Sequence, residues 1–494
     1  MIKKKAVVIG AGISSLAVSC YLARLGFEVI VLEKNSFIGG RASIFKEKGF
    51  IFDKGPSWYM MPEVFEDFFG FFGKKVSDYY NLFRLPVNYR VFFDDKVVID
   101  ITKDHQQNLR LFKKLEEDGD KKLTEYLRKA SYLYQLSMKE LVLKSYEKGF
   151  LELFDLNIIT NLFRLNLFTS LKNYINKFFK SDKPEKILSF TSVFLGGSPF
   201  NTPAFYSLIA HADLNLGVYY PMGGIHQVIK ALFELSQELG VKIITKASVD
   251  KIDIKDKQVK AVYFNTKKKL IADLVVSGID LQFTQTNLLE NKWRTYDDNY
   301  WKKAVMSPSA FLIYLGLNKK IKNVEHHNLY FSNYWKKGFD EVFSKKKYPQ
   351  FPSYYFHVPS KTDKSVAPKN GETMMILVPI APGLPDNINL RQKFFDKILT
   401  HFESLVGEKI RDNIVVKKIY SLNDFKEEYN SFKGAAFGLA HTLFQTAIFR
   451  PLNKDKKIKN LYYVGQFTNP GVGMPPGLLS AKIVFNLIKK DFFK

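Results

Sequence analysis

The sequence predicts an α/β fold in which separated stretches of chain build one parallel-sheet nucleotide domain. A mixed-sheet second domain and a helical region are set between those stretches. Three observations predict this. Near the N-terminus an apolar strand, a glycine turn, a helix and a second strand follow in the order of a βαβ unit. Alternating strand and helix patterns return near residue 220 and again after residue 460. Between about 104 and 214 the apolar period is helical, with no clear strand.

The first strand, Ala6-Val7-Val8-Ile9, runs into Gly10-Ala11-Gly12-Ile13-Ser14-Ser15 and a helix to about Gly26. Gly10 lets the chain turn tightly, and Gly12 has no Cβ to block a pyrophosphate approaching the backbone. The helix beginning near Ile13 points its free N–H groups and positive dipole end at that group. A second strand, Glu28 to Leu32, ends at Glu33, 23 residues after Gly10. There a carboxylate can accept both ribose hydroxyls, and it would repel a 2′-phosphate, which disfavours NADP. The third glycine of the fingerprint is replaced by Ser15, which predicts a slightly looser helix–strand contact.

Gly49 to Trp58 reads as a short strand entering a tight turn, and residues 82 to 101 as paired strands with Asp94-Asp95 at the hairpin. Pro221-Met222-Gly223-Gly224 precedes a helix to about Gly240 and a strand Val241 to Thr245. Strand-like runs follow at Val249 to Ile254, Val259 to Asn265 and Leu270 to Ser277. Residues 305 to 420 mix strands (Phe311 to Leu317, Met374 to Ile380) with a helix near Gln392 to Val406. A strand over Leu461 to Val464, a Gly/Pro loop and a final helix close the chain.

At 494 residues the chain is long enough for two or more lobes, and its 46% hydrophobic content excludes a disordered chain. The 15% aromatic share points to a large apolar cavity or surface, although Lys, Ile, Asn, Phe and Tyr are all enriched together. The net charge of +25 is spread over short lysine clusters at Lys3 to Lys5, Lys267 to Lys269, Lys345 to Lys347 and Lys454 to Lys459. No nucleic-acid motif accompanies them. An anionic membrane surface or plain solvation accounts for such clusters. Cys20 is the single cysteine, so neither a disulfide framework nor a thiolate metal site is expected. The eight histidines show no metal-ligand spacing, and adjacent His326-His327 are expected to diverge, so no metal is predicted. Lys3 to Lys5, an apolar run and Ala17 to Cys20 superficially resemble a lipoprotein signal. The cofactor spacing of the glycines argues against it, and no apolar run reaches the roughly 18 residues of a spanning helix. A cytoplasmic, peripherally membrane-associated protein is the resulting expectation.

Several motifs carry a family resemblance. Gly39-Gly40-Arg41-Ala42-Ser43 directly after Glu33, and Phe52-Asp53-Lys54-Gly55-Pro56-Ser57, resemble the FAD domain of the flavin amine-oxidase superfamily. Leu195 to Ala204, Tyr220 to Gly224, Ala272 to Gly278 and Tyr463 to Gly477 are similar to segments of its carotenoid desaturases, most of all bacterial-type phytoene desaturases. The resemblance implies a Rossmann-like FAD-binding domain with a discontinuous mixed-sheet substrate domain and a helical membrane-docking region. Its FAD-binding parts would be residues 1–80, 215–285 and 436–494. The substrate domain would be 81–110 and 286–435, with the helical region at 111–214. The implied cofactor contacts are Gly10, Gly12, Ile13, Ser14, Ser15, Glu33 and Lys34, then Gly39, Gly40 and Arg41, the last pairing with the pyrophosphate. Val249 would meet adenine through its backbone. Gly55, Pro56 and Ser57 would lie near the isoalloxazine, and Gly278, Gly465, Gln466, Gly473 and Met474 complete the set.

The implied reaction is desaturation of a long polyene such as phytoene by hydride transfer to flavin N5, with quinone or oxygen as terminal acceptor. No catalytic base is assigned: Asp53 and His226 lie near flavin-facing motifs but read as structural. Alternatives are a desaturase or isomerase of a later carotenoid, a flavin amine oxidase, and a non-catalytic prenyl-lipid escort protein. A lipid-soluble substrate also implies membrane docking. Apolar spacing over 158 to 179, flanked by Arg164, Lys172, Lys177 and Lys180, fits an amphipathic helix in a bilayer interface and fits equally a helix packed into the second lobe.

Overall fold

Five short strands lie parallel in the order Leu461–Tyr463, Leu274–Ser277, Lys5–Ile9, Glu28–Leu32, Lys242–Ile244. They belong to a computed structural model that describes residues 3–147, 149 and 167–493. The inner strands are almost unbroken apolar runs because both sheet faces are covered there, while the edge strand Lys242–Ile244 is largely exposed. Ala6, Val8, Val29 and Val31 pack against helices Ile13–Arg24, His226–Glu238 and Met474–Phe492. Val7, Ile9, Ile30 and Leu32 point the other way, onto an antiparallel meander of Val249–Lys255, Gln258–Phe264 and Lys268–Ile271. Period-2 alternation thus distributes one run of β-branched residues between two cores.

The run Leu270 to Ser277, expected as one strand, is two. Lys268–Ile271 belongs to the meander and Leu274–Ser277 to the parallel sheet. The chain changes sheets at Asp273, whose backbone N–H donates to the Lys5 carbonyl at 2.9 Å and whose carboxylate accepts from the Lys5 N–H at 2.6 Å.

The second sheet has seven strands in the order Ile414–Tyr420, Ser309–Leu317, Glu372–Ile380, Tyr354–His357, His327–Phe331, Val87–Phe93, Val98–Thr102. All neighbours are antiparallel except His327–Phe331 beside Val87–Phe93. One face packs on helix Ile388–Val406 through Phe394, Ile398 and Phe402. The opposite face meets the helical segment, where helices His105–Leu115 and Gly119–Leu136 contribute Phe112, Tyr126 and Leu127.

The amphipathic stretch 158 to 179 is seen in part. Residues 158 to 166 lie outside the described residues. Over 167 to 179 only Leu171–Ile175 is an α-helix, and Leu171, Ile175 and Phe179 are buried in the second domain's core. Lys172 Nζ lies 2.6 Å from a Glu185 carboxylate oxygen. This half of the stretch is therefore packed into the lobe rather than presented as one continuous helix. Among the described residues no helix is long and apolar enough to cross a membrane.

Candidate functional site

A cavity of about 690 Å³ runs between the two sheets. Its first end is the C-terminal edge of the parallel sheet. Gly12 is the N-cap of helix Ile13–Arg24 and offers no side-chain cap, so the first-turn amides keep their donor capacity. A Cβ on Gly12 would meet no protein atom within 4 Å and would project into free space. Glu33 is buried at the tip of its strand, where its carboxylate accepts from the backbone N–H groups of Ala11 and Asn35, both at 2.8 Å. Burial pushes its pKa up, partly offset by those amides. Carboxylate oxygens accept more than one hydrogen bond each, which leaves capacity for hydroxyls.

Arg41 is half-buried and packs against the ring of Tyr429, with its guanidinium carbon 5.0 Å from the ring centroid. Its Nη2 donates to Ser431 Oγ at 3.1 Å, while Nε has no partner. Burial lowers its pKa, and the Asp280 carboxylate opposes that shift. A half-buried guanidinium with an unused Nε–H, beside an uncapped helix N-terminus and a ribose-reading carboxylate, fits the diphosphate and ribose of FAD.

Ser15 and Gly278 share one space. An ideal Cβ on Gly278 would lie 2.0 Å from Ser15 Oγ, so the serine fills the room a side chain would take on the neighbouring strand. The expected looser contact is corrected: the Ser15 side chain is accommodated at close range because the residue facing it, Gly278, has none.

The far end of the cavity is apolar and aromatic. Trp58, Phe190, Phe194, Leu312, Trp335 and Phe339 line it, the last two from helix Trp335–Phe343. Ser57 stands where the two ends meet and accepts from Tyr355 OH at 2.9 Å.

All the sequence-predicted cofactor residues line this cavity except Val249, which starts the meander and packs in the core beneath the parallel sheet. Lys34 lines it too, but its Nζ is turned to the Glu427 carbonyl at 2.5 Å and to Asn430 Oδ1 at 2.9 Å. Asp53 is structural: its two oxygens accept from the backbone amides of Ile225 and His226, at 2.9 and 3.0 Å, which anchors the start of helix His226–Glu238. Burial brings it up to about 7. His226 reaches only the Ala42 carbonyl, at 3.4 Å.

Sequence reasoning missed Arg450. Its guanidinium is buried and donates to the carbonyls of Gln445, Gln466 and Thr468 at 2.5 to 3.1 Å, pinning the loop after Leu461–Tyr463. Burial pushes it down to about 10. Its sequence neighbourhood carries no motif; only the number of loop carbonyls needing donors could have signalled it.

The histidine expectation is also corrected. His326, His327 and His357 come together, each buried. His357 lies directly opposite His327 on the adjacent antiparallel strand, and His326 sits just before the strand begins, so its ring escapes the alternation.

Residues 13–484 match the family of flavin containing amine oxidoreductases. A carotenoid 3,4-desaturase of Haloarcula japonica is 41% identical over 98% of each chain. A zeta-carotene-forming phytoene desaturase of Myxococcus xanthus is 31% identical, covering 97% of this chain and 93% of its own. Among solved structures, an oxidoreductase from Methanosarcina mazei aligns over 98% of this chain and 100% of its own with a TM-score of 0.67 at 19% identity, a likeness of fold.

Proposed function

The chain belongs to the flavin-containing amine oxidoreductase family and within it to the carotenoid desaturases, and from that premise we propose that it removes hydrogen from a long carotenoid chain with FAD as cofactor. The observation that carries this reading is one continuous cavity, polar and glycine-lined at the dinucleotide end and aromatic at the other. Bound FAD would supply the two-electron acceptor for an allylic C–H bond.

The chain's own residues do the rest. First-turn amides, Glu33 and Arg41 hold the dinucleotide, and Ser57, fixed by Tyr355, borders the point where substrate would meet it. Trp58, Phe194 and Phe339 exclude water and align a hydrocarbon that offers nothing to hydrogen-bond. As one carbon gives up hydride, its neighbour would release a proton to water, which leaves the new double bond.

Identity of 41% to the 3,4-desaturase, against 31% to the phytoene desaturase, supports a later carotenoid as substrate. Desaturation of phytoene itself, the sequence expectation, is the second reading. We assign the protein peripherally to a membrane surface, where the polyene dissolves, with quinone or oxygen as terminal acceptor. The test is reconstitution with FAD and liposomes carrying either phytoene or a carotenoid saturated at the 3,4 bond, followed by product chromatography. Lack of FAD binding would overturn the reading. FAD binding without new conjugated absorbance from either lipid would overturn only the substrate class.

A further inference from the structure

We propose that His326, His327 and His357 form a binding site for one divalent transition-metal ion that prefers imidazole nitrogen, of which zinc is the type. Strand pairing builds the cluster: His327 opposes His357 across adjacent antiparallel strands, and His326 closes the third side. One ligating atom from each lies within 4.8 Å of the others, and His326 Nε2 is 3.0 Å from His357 Nε2.

Two outer contacts set the ring orientations. Tyr355 OH directs its proton to Ser57 Oγ, so against His327 Nδ1, at 2.7 Å, the phenol oxygen acts as acceptor. His327 then carries its proton on Nδ1 and presents Nε2 as a bare lone pair. That Nε2 is buried and has no hydrogen-bond partner. His326 Nδ1 is engaged by Thr362 Oγ1 at 2.8 Å, and its Nε2 faces the cluster, where it shares with His357 Nε2 a proton that a bound metal would displace. Outer hydrogen bonds on the second ring nitrogen orient the rings of metal-binding histidines, and the Tyr355 and Thr362 hydroxyls hold that position here.

An orphaned buried lone pair needs a donor or a cation. Zinc–nitrogen bonds of about 2.0–2.1 Å place tetrahedral ligands roughly 3.3 Å apart, close to the His326–His357 spacing. The widest spacing among the three ligand atoms, up to 4.8 Å, would need to close by roughly 1.5 Å. The buried Asp363 carboxylate lies behind Tyr220, whose ring packs 4.6 Å from His326, and would offset part of the ion's charge. The indole of Trp58 stacks on His327 at 4.4 Å and 8°, so ligation would also stiffen the cavity wall.

The experiment uses the full FAD-loaded chain, dialysed against Zn²⁺ or Co²⁺ alone and then against buffer, with metal content measured by mass spectrometry. About one equivalent per chain should remain. His326→Gln, His327→Gln and His357→Gln should each weaken binding at least tenfold, while exposed His105→Gln leaves it unchanged. Co²⁺ should give visible ligand-field bands that Zn²⁺ displaces, and Zn²⁺ should alter tryptophan fluorescence. FAD content and circular dichroism of the same samples report folding and the flavin assignment separately. Less than a tenth of an equivalent in folded wild type overturns the proposal. So does stoichiometric binding that survives the three substitutions, or the absence of Co²⁺ bands in wild type where a variant fails to fold.

Discussion

Ser15 and Gly278 show how a departure from a motif is answered at one contact. The serine hydroxyl occupies the space that a Cβ at 278 would need, 2.0 Å away. Gly278→Ala should therefore destabilise the protein by about 1–3 kcal/mol through overpacking. Ser15→Gly should be mild, and the double variant should recover most of the loss; thermal unfolding of all four forms measures the coupling. The sequence displays both residues, yet nothing in a linear reading links positions so far apart. Asp213 is a second case. Tyr89 OH donates to its Oδ2 at 2.9 Å, Oδ1 is unpartnered, and burial pushes the group from 3.8 up to about 7. The folded state therefore holds a proton that the unfolded chain has released, so this contribution to stability is complete below about pH 4 and is lost as pH rises through 7. Asp213→Asn keeps an acceptor for Tyr89 and stays neutral. It should flatten the decline in urea midpoint between pH 4 and 7.5, by on the order of 1–3 kcal/mol.

Elements were legible where period and punctuation agreed. Helix Ile13–Arg24, strand Glu28–Leu32 and the hairpin at Asp94-Asp95 stand where the pattern puts them. The run Leu270 to Ser277 misled because a single polar residue, Asp273, interrupts its apolar residues, and only the partners of Asp273 reveal that the chain changes sheet there. Helix Trp335–Phe343 was equally hidden, since its amphipathic face is turned to the cavity and its role depends on what lies opposite. Phe339 projects from that helix into the aromatic end. Phe339→Asn should leave bound FAD unchanged, because the dinucleotide end is built by other elements. It should lower carotenoid turnover roughly tenfold, the cost of setting an unpaired amide against hydrocarbon. Flavin absorbance and product chromatography on one preparation read the two effects apart.

At the scale of the whole molecule, the nucleotide sheet draws strands from residues 5–9, 28–32, 242–244, 274–277 and 461–463, and the mixed sheet fills the intervals. The glycine motifs announced the first end of the cavity. The aromatic end was foreshadowed only by composition, because its walls come from strands whose pairing no local pattern specifies. One cavity spanning both domains predicts that FAD stabilises them together. A hundredfold excess over Kd should add about 2.7 kcal/mol and raise a single unfolding transition in calorimetry, rather than one of two. The order of the strands also bears on biogenesis. Lys5–Ile9 is flanked by Leu274–Ser277, which itself pairs with Leu461–Tyr463, so neighbouring strands of the sheet are separated by hundreds of residues of chain. During synthesis the N-terminal βαβ unit has no completed sheet to join, and the apolar faces of Ala6 to Ile9 and Val29 to Leu32 depend on chaperones or on their own helix for cover. The sheet edge that faces the flavin pocket is therefore complete only once Leu461–Tyr463 has joined it.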